Sequence, residues 1–268
     1  MIGIGIVTWQ RHETLLPRIF QAVCDLTRNS WELFVGCDSP EALAAVRAMR
    51  LPCGGGVRRG VAANKNRVFA WFADRPFLSH LFLFEDDTFP VKQGWDDWWL
   101  GGHAAIPEVQ AACWQPVDFY NGPSRPGLKI ARGGYVAMPT HNDGMAMLSI
   151  TRAGFEKVGG MHPAFRSAGY GNEHSEYMTR ARRAGIVPWT NCTFQGCEEH
   201  VDSVDYREWR HARGLPGGEP RPAGDPAGSS LLFAKNQPHG LAAFCRVSRE
   251  EQTYHDPHWE ERQEWTPL

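Results

Sequence analysis

Short apolar runs at residues 2–7, 31–37 and 81–84 alternate with amphipathic segments, and no other feature of the chain constrains its fold as strongly. Continuous apolar runs bounded by polar junctions fit strands buried on both faces, with helices between them as the cover. The opening hundred residues therefore predict an α/β fold around a parallel sheet. After the first run, Leu15, Leu16, Ile19, Phe20, Val23 and Leu26 recur at helical spacing and predict a helix over residues 14–26, with Pro17 tolerable only in its first turn. Ser39 and Pro40 supply the cap and first position of a helix over 41–49, and another helix is expected over 61–73.

From residue 95 the pattern loosens, with Trp95, Trp98, Trp99 and Trp114 among glycines and prolines. Most of these rings are expected in the core, although an aromatic face also stacks on a sugar or a base. A strand is expected over 144–150, a helix over 151–158 ended by Gly159-Gly160, a helix over 173–184 stopped by Gly185, and a strand over 187–194. Residues 214–230 are rich in glycine and proline and read as an exposed loop. The expected organisation is one domain over 1–213, this loop, and a C-terminal extension over 231–268 packing on the domain.

The chain is 42% hydrophobic and 22% charged with a formal net charge of −2, a globular make-up that offers no general electrostatic case for nucleic acid. The first apolar run is too short for a signal segment or a membrane span, so no membrane insertion is expected. Seven cysteines are scattered, odd in number and without paired C-x-x-C spacing. Reduced thiols in a cytoplasm fit that usage.

The densest chemistry is Glu85-Asp86-Asp87, directly after the apolar run at 81–84. Three successive carboxylates repel one another unless a cation or donor groups neutralise them, and hard oxygens suit Mg2+ or Mn2+. A solvated acidic turn is the alternative; a place at the C-terminal end of a buried strand, where open α/β sheets bind ligands, favours a site. In Gly171-Asn172-Glu173-His174, a loop enters a helix and delivers two candidate bases, although Glu173 also complements a helix dipole. His200 is a candidate metal ligand or a surface histidine, with Glu198 and Asp202 competing on the same stretch. Lys65 and Asn66 follow the loop at 54–60, which carries Arg58 and Arg59, and so offer cationic and amide groups to a diphosphate. Asp38 either binds a base or ribose or begins a turn.

Together these residues resemble the GT-A glycosyltransferases, particularly family 2 enzymes and the galactosyltransferase branch that shares their C-terminal motif. The resemblance spans roughly residues 2–200. Ile4-Gly5-Ile6-Val7-Thr8-Trp9-Gln10-Arg11 is similar to the family's first strand and nucleotide-contacting turn. Asp38 falls where these enzymes place an acid near the nucleobase. Gly60-Val61-Ala62-Ala63-Asn64-Lys65-Asn66 is similar to their Gly-x-Ala-x-x-Arg-Asn helix, with Lys65 in place of arginine, and Glu85-Asp86-Asp87 corresponds to their D-x-D motif. Asp143-Gly144-Met145-Ala146-Met147-Leu148-Ser149 resembles the strand before the acceptor-side motif, and Tyr170-Gly171-Asn172-Glu173-His174 resembles the Trp-Gly-Gly-Glu-Asp run, with His174 where the aspartate base stands.

The resemblance implies a GT-A (nucleotide-diphospho-sugar transferase) fold, a central mostly parallel sheet flanked by helices. It implies a hexosyl- or pentosyltransferase moving a sugar from a nucleotide-diphosphate sugar, with UDP the commonest nucleotide among relatives, to an acceptor hydroxyl with inversion. A divalent Mn2+ or Mg2+ would be held by Asp87 and His200. Thr8, Arg11, Asp38, Lys65, Asn66, Glu85 and Asp86 would bind the nucleotide sugar. Asp143, Gly144 and Tyr170 would face the acceptor, which is a glycan, small molecule, protein or modified nucleic-acid base, and Glu173 or His174 would take the proton. Two alternatives stand beside this reading: a catalytically silent module binding carbohydrate or nucleotide sugar on the same fold, and a sugar nucleotidyltransferase, whose Gly-rich basic signature near the N-terminus is missing.

Overall fold

In the computed structural model, residues 1–116, 128–140, 146–162, 165 and 173–220 are described. The central strands are β1 (Ile2–Thr8), β2 (Trp31–Cys37), β3 (Cys53–Gly55), β4 (His80–Glu85), β6 (Ala111–Cys113) and β9 (Met147–Thr151), and they form one sheet in the order β3-β2-β1-β4-β9-β6. The pairs β1–β2, β2–β3 and β1–β4 are parallel, whereas β9 runs antiparallel to both β4 and β6. The chain leaves β1 towards β2 and β3 and then returns to place β4 on the other side. The carboxyl ends of β1 and β4 therefore flank the point where strand order reverses, the crevice at which such sheets bind ligands.

Helices cover both faces because the strands are apolar on both. From β1, Ile2, Ile4 and Ile6 pack with Leu16, Ile19 and Val23 of α1 (Leu16–Leu26), while Val7 joins Val68, Phe69 and Phe72 of α3 (Val61–Ala73). Strand β4 divides likewise, Phe82 and Phe84 to one core and Leu81 and Leu83 to the other. Gly5 is needed where α3 presses on β1, since a Cβ there would lie 2.1 Å from Val68 Cγ1. Helix α2 (Pro40–Ala48) starts as expected, with the Ser39 hydroxyl accepting the Ala42 N–H at 3.1 Å.

Several elements differ from the expected pattern. The tryptophan-rich stretch forms a helix, α4 (Trp95–Ala105), with Trp95 and Trp99 fully buried. Its Gly101 and Gly102 are packing sites: a Cβ would lie 2.1 Å from the Tyr135 hydroxyl and 2.9 Å from the Phe194 ring. Gly133 and Gly134, both at positive φ, turn a hairpin between β7 (Ile130–Arg132) and β8 (Tyr135–Pro139). The strand expected over 187–194 shrinks to β10 (Cys192–Phe194), because Pro188 has no N–H to give a ladder and Asn191 sits at φ 58°. Helices α5 (Arg152–Val158) and α6 (Glu173–Arg183) match expectation. A short antiparallel ribbon pairs β5 (Thr88–Pro90) with β11 (Val201–Ser203), and α7 (Val204–His211), absent from the sequence reading, follows it. No helix among the described residues is long and apolar enough to cross a membrane. The expected extension over 231–268 lies outside the described residues, as do Asp143, Gly144 and Tyr170.

Candidate active site

The three acids after β4 have three different surroundings. Asp86 turns back to β1: its Oδ2 accepts the Thr8 hydroxyl at 2.8 Å and the Trp9 N–H at 3.1 Å, which ties together the two strand ends that border the crevice. Burial raises its carboxyl above the usual range, against the opposing pull of Arg11, Thr8 and Trp9. Both Thr8 and Asp86, expected on the nucleotide, thus brace the crevice. Beside them the Arg58 guanidinium lies 3.9 Å above the Trp9 ring at the end of the same strand.

Asp87 is buried, its Oδ1 accepting the Thr88 hydroxyl at 3.0 Å. Arg11 approaches its Oδ2 at 3.4 Å and reaches Asp205 Oδ1 with its other terminal nitrogen at 3.7 Å. Burial first, then the charge of Asp205, pushes the Asp87 carboxyl up to about 8; Arg11 opposes this while Glu85 and Asp86 add to it. The β5–β11 ribbon brings Asp205 here. Thr88 pairs with Ser203, the Val204 N–H donates to the Asp87 carbonyl at 2.9 Å, and α7 then presents Asp205 in its first turn. The sequence reading missed Asp205, although Ser203, whose hydroxyl accepts the Tyr206 N–H at 3.0 Å, was a legible helix cap two residues before it.

His200 is not brought to Asp87. The same ribbon pairs its carbonyl with the Val91 N–H, four residues along from Asp87, or roughly 13 Å at strand rise. Its ring stacks on Trp98 with centroids 4.3 Å apart and planes 14° from parallel, and burial, with Lys92 nearby, lowers its pKa to about 4. The acid that shares the Arg11 guanidinium with Asp87 is Asp205.

Helix α3 carries four consecutive buried polar residues, and each has a defined partner. Asn64 donates to the carbonyls of Thr8 and Gly36 at the ends of β1 and β2, at 3.3 and 3.0 Å. Lys65 donates to Glu85 Oε1 at 2.6 Å and contacts His174 Nε2. Asn66, expected at the nucleotide, pairs both ends of its amide with the Met161 backbone at 3.0 and 2.6 Å; fully buried, it holds the segment before α6. Arg67 reaches Asp38 at 3.2 Å and the Val57 carbonyl at 2.8 Å. Asp38, expected near a base, also accepts the Arg59 and Gly60 N–H groups at 2.9 and 3.0 Å, so it holds the loop that leads into α3. Burial nonetheless raises its carboxyl.

Through Lys65 the fold joins both sides of the crevice. His174 Nε2 lies 3.7 Å from Glu85 Oε1 and 3.4 Å from Glu173 Oε1, so Lys65, Glu85, Glu173 and His174 form one cluster from α3, β4 and the first turn of α6.

Asp87 and Asp205 are hard oxygen donors converging on one cation, the Arg11 guanidinium, and a small divalent ion is commonly held by one or two carboxylates with phosphate oxygens completing its shell. The donor set fits that chemistry. No group of three or more His, Cys, Asp or Glu is placed to hold a metal among the described residues.

No protein-family model and no curated protein sequence matches the chain. Solved structures do. GalNAc-T7 with UDP, GalNAc and Mn2+ superposes at a TM-score of 0.52 and 12% identity, over 95% of this chain and 58% of that one. The fold is that of the GT-A glycosyltransferases. Weaker likenesses of the GT-A-like fold are the Staphylococcus aureus TarS fragment 1–349 (TM-score 0.49, 11% identity, 78% of this chain, 63% of that one) and the mannosyltransferase PcManGT from Pyrobaculum calidifontis with GDP-Man and Mn2+ (0.47, 15%, 94% and 76%). The chain spans less than two thirds of the GalNAc-T7 and TarS chains.

Proposed function

We propose that this protein is a glycosyltransferase, a hexosyl- or pentosyltransferase, that moves a sugar from a nucleotide-diphosphate sugar, UDP foremost, to an acceptor hydroxyl with inversion. The observation that carries the reading is the convergence of Asp87 and Asp205 on Arg11 beside the Lys65–Glu85–Glu173–His174 cluster, at the strand ends where order reverses. Asp87 and Asp205 would hold Mn2+ or Mg2+, whose chemistry is to offset charge on the departing diphosphate. Arg11, released from the two acids, would meet the same diphosphate, and Glu85, oriented by Lys65, would address the sugar. The acceptor oxygen attacks the anomeric carbon, the bond from that carbon to the diphosphate oxygen breaks, and the nucleoside diphosphate leaves. The acceptor proton passes to a base on the first turn of α6. The residues of 143, 144 and 170 remain candidates for the acceptor side.

Incubation with Mn2+ and a panel of nucleotide sugars, read as nucleotide release, tests this. Release by the wild type and none by a folded D87A variant is expected; metal-dependent turnover retained in D87A overturns the assignment. The engagement of His174 by Lys65 favours one second reading, a silent binding module. Nucleotide-sugar binding without any turnover would support that module instead.

A further inference from the structure

Two thiols touch where the edge of the sheet meets the crevice wall. Cys37 closes β2, Cys53 opens the edge strand β3, and their side chains hydrogen-bond to each other. Val35 pairs with Cys53 and Cys37 with Gly55, so the two cysteines share one face of the sheet, two residues out of step. Both are reduced and buried in the same core. The hydrogen bond with Cys37 brings the Cys53 thiol down to about 7; burial opposes this and the Arg47 guanidinium of α2 adds to it. The same bond raises Cys37, so Cys53 is the sulfur that reacts first. The Cys37 carbonyl accepts the Gly56 N–H at 2.9 Å and Arg67 Nη1 at 3.2 Å, and the next residue, Asp38, accepts the Arg59 and Gly60 N–H groups. The thiol pair thus sits beside the contacts that hold the loop leading into α3.

We propose that Cys37 and Cys53 form a reversible disulfide, and that its formation draws β3 along β2 and loosens the loop over residues 56–60 at the crevice. Diagonal neighbours on paired strands have Cα atoms about 7–8 Å apart, beyond the usual disulfide limit of about 6.8 Å, so β3 must shift by roughly 1 Å to close the bond. The strand has the freedom to do so, being three residues long, at the sheet edge, and followed by Gly55 and Gly56 at positive φ. Gly55 is packed so closely that a Cβ there would lie 2.2 Å from the Cys37 carbonyl oxygen, which carries the shift to the Gly56 and Arg67 contacts. Hydrogen peroxide is a sufficient oxidant. The Cys53 sulfur attacks one peroxide oxygen, the O–O bond breaks, and a sulfenic acid and water form. The Cys37 sulfur then attacks the Cys53 sulfur, the S–O bond breaks, and the Cys37 proton leaves with the hydroxide as a second water. Two electrons pass from the thiols to the peroxide, and a dithiol returns them. The disulfide is independent of the glycosyl-transfer reading; its effect on nucleotide-sugar binding rests on that reading.

The test treats the whole chain with hydrogen peroxide and maps its disulfides by mass spectrometry of unreduced peptides. A cross-link between Cys37 and Cys53, removed by dithiothreitol, is expected. Peroxide that leaves both thiols unchanged, carries Cys53 to a sulfinic acid without a cross-link, or joins only the exposed Cys24 between chains overturns the proposal. Hydrogen exchange then compares the oxidised and reduced wild type. The Gly56, Arg59 and Gly60 amides should exchange about tenfold faster in the oxidised form, and C53A treated in the same way should show no change. A cross-link with unchanged exchange overturns the coupling to the loop, and the reduced wild type is the reference even if C53A fails to fold. Affinity for a nucleotide sugar should fall about fivefold or more on oxidation and return on reduction, and an affinity that oxidation leaves unchanged overturns the effect on the site. Absence of binding in both states would sink the glycosyl-transfer reading while leaving the cross-link and exchange results to stand or fall alone.

Discussion

The Thr8 hydroxyl donates to the Asp86 carboxylate at 2.8 Å, joining strand ends 78 residues apart in the chain. The bond sits at the border of the crevice, so the middle acid of the triplet fixes the end of β1 against the end of β4. A hydrogen bond to a charged group contributes about 1.5–3 kcal/mol. T8V should therefore lower unfolding stability by about that amount with an unchanged denaturant slope; a loss below about 0.5 kcal/mol would show that the tie is dispensable.

Asp205 and His200 make opposite predictions for cation binding. D205N should weaken Mn2+ binding, followed by calorimetry with a nucleoside diphosphate present, by tenfold or more. H200A should leave that affinity within about threefold and instead lose stability, because its ring stacks on Trp98. Loss of Mn2+ binding in H200A with full binding in D205N would restore the pairing expected from sequence.

Asp87 should be a liability to the cation-free fold. Its folded carboxyl, at about 8, lies above the ordinary value of 3.8. Its stabilising contribution is thus fully present below about 4 and is lost as pH rises towards 8. D87N should accordingly gain thermal stability over the wild type at pH 8 in chelator, and should no longer respond to Mn2+. A variant less stable than wild type under those conditions would contradict the electrostatics of the site.

His103 supplies the opposite pH dependence. Its ring nitrogens contact the Val109 carbonyl at 2.6 Å and the Ser149 hydroxyl at 2.8 Å, and burial lowers its pKa from 6.5 to about 4. The unfolded chain takes up this proton first, so the contribution is complete above about 6.5 and is lost as pH falls to 4. The wild type should lose on the order of 3 kcal/mol more than H103Q between pH 7 and pH 4, measured by urea unfolding at each pH. Parallel pH curves for the two proteins would exclude a neutral buried His103.

Gly5 tests the packing of the sheet. An added methyl would lie 2.1 Å from Val68 Cγ1, and overpacking of this kind typically costs about 1–3 kcal/mol. G5A should be destabilised in that range, and G5A/V68A should recover part of it if the clash is local. Additive losses would place the effect elsewhere.

The α/β half of the fold was legible because each signal there is local. β2 and α3 coincide with the predicted ranges, and the Ser39 cap and the Gly159 and Gly185 stops act within a few residues. Helix α4 was not legible, because Gly101 and Gly102 weaken helical propensity and their use appears only when Tyr135 and Phe194 are folded against them. The candidate site divides in the same way. Lys65, Glu85, Glu173 and His174 stand out in the sequence and meet in one cluster, whereas the contacts of Asn66 with the Met161 backbone and of Asp38 with Arg67 and the Arg59 and Gly60 N–H groups leave no sequence signal.

By itself the sequence determined that Glu85, Asp86 and Asp87 end a buried strand, because an apolar run followed by acids leaves no other place for either. Which of the three faces what was decided only by tertiary structure. Asp86 is claimed by a strand far away in the chain, and Asp87 meets Asp205 because the register of a three-residue ribbon, set by backbone hydrogen bonds with no trace in side-chain periodicity, sends His200 to Trp98 and Asp205 to the crevice.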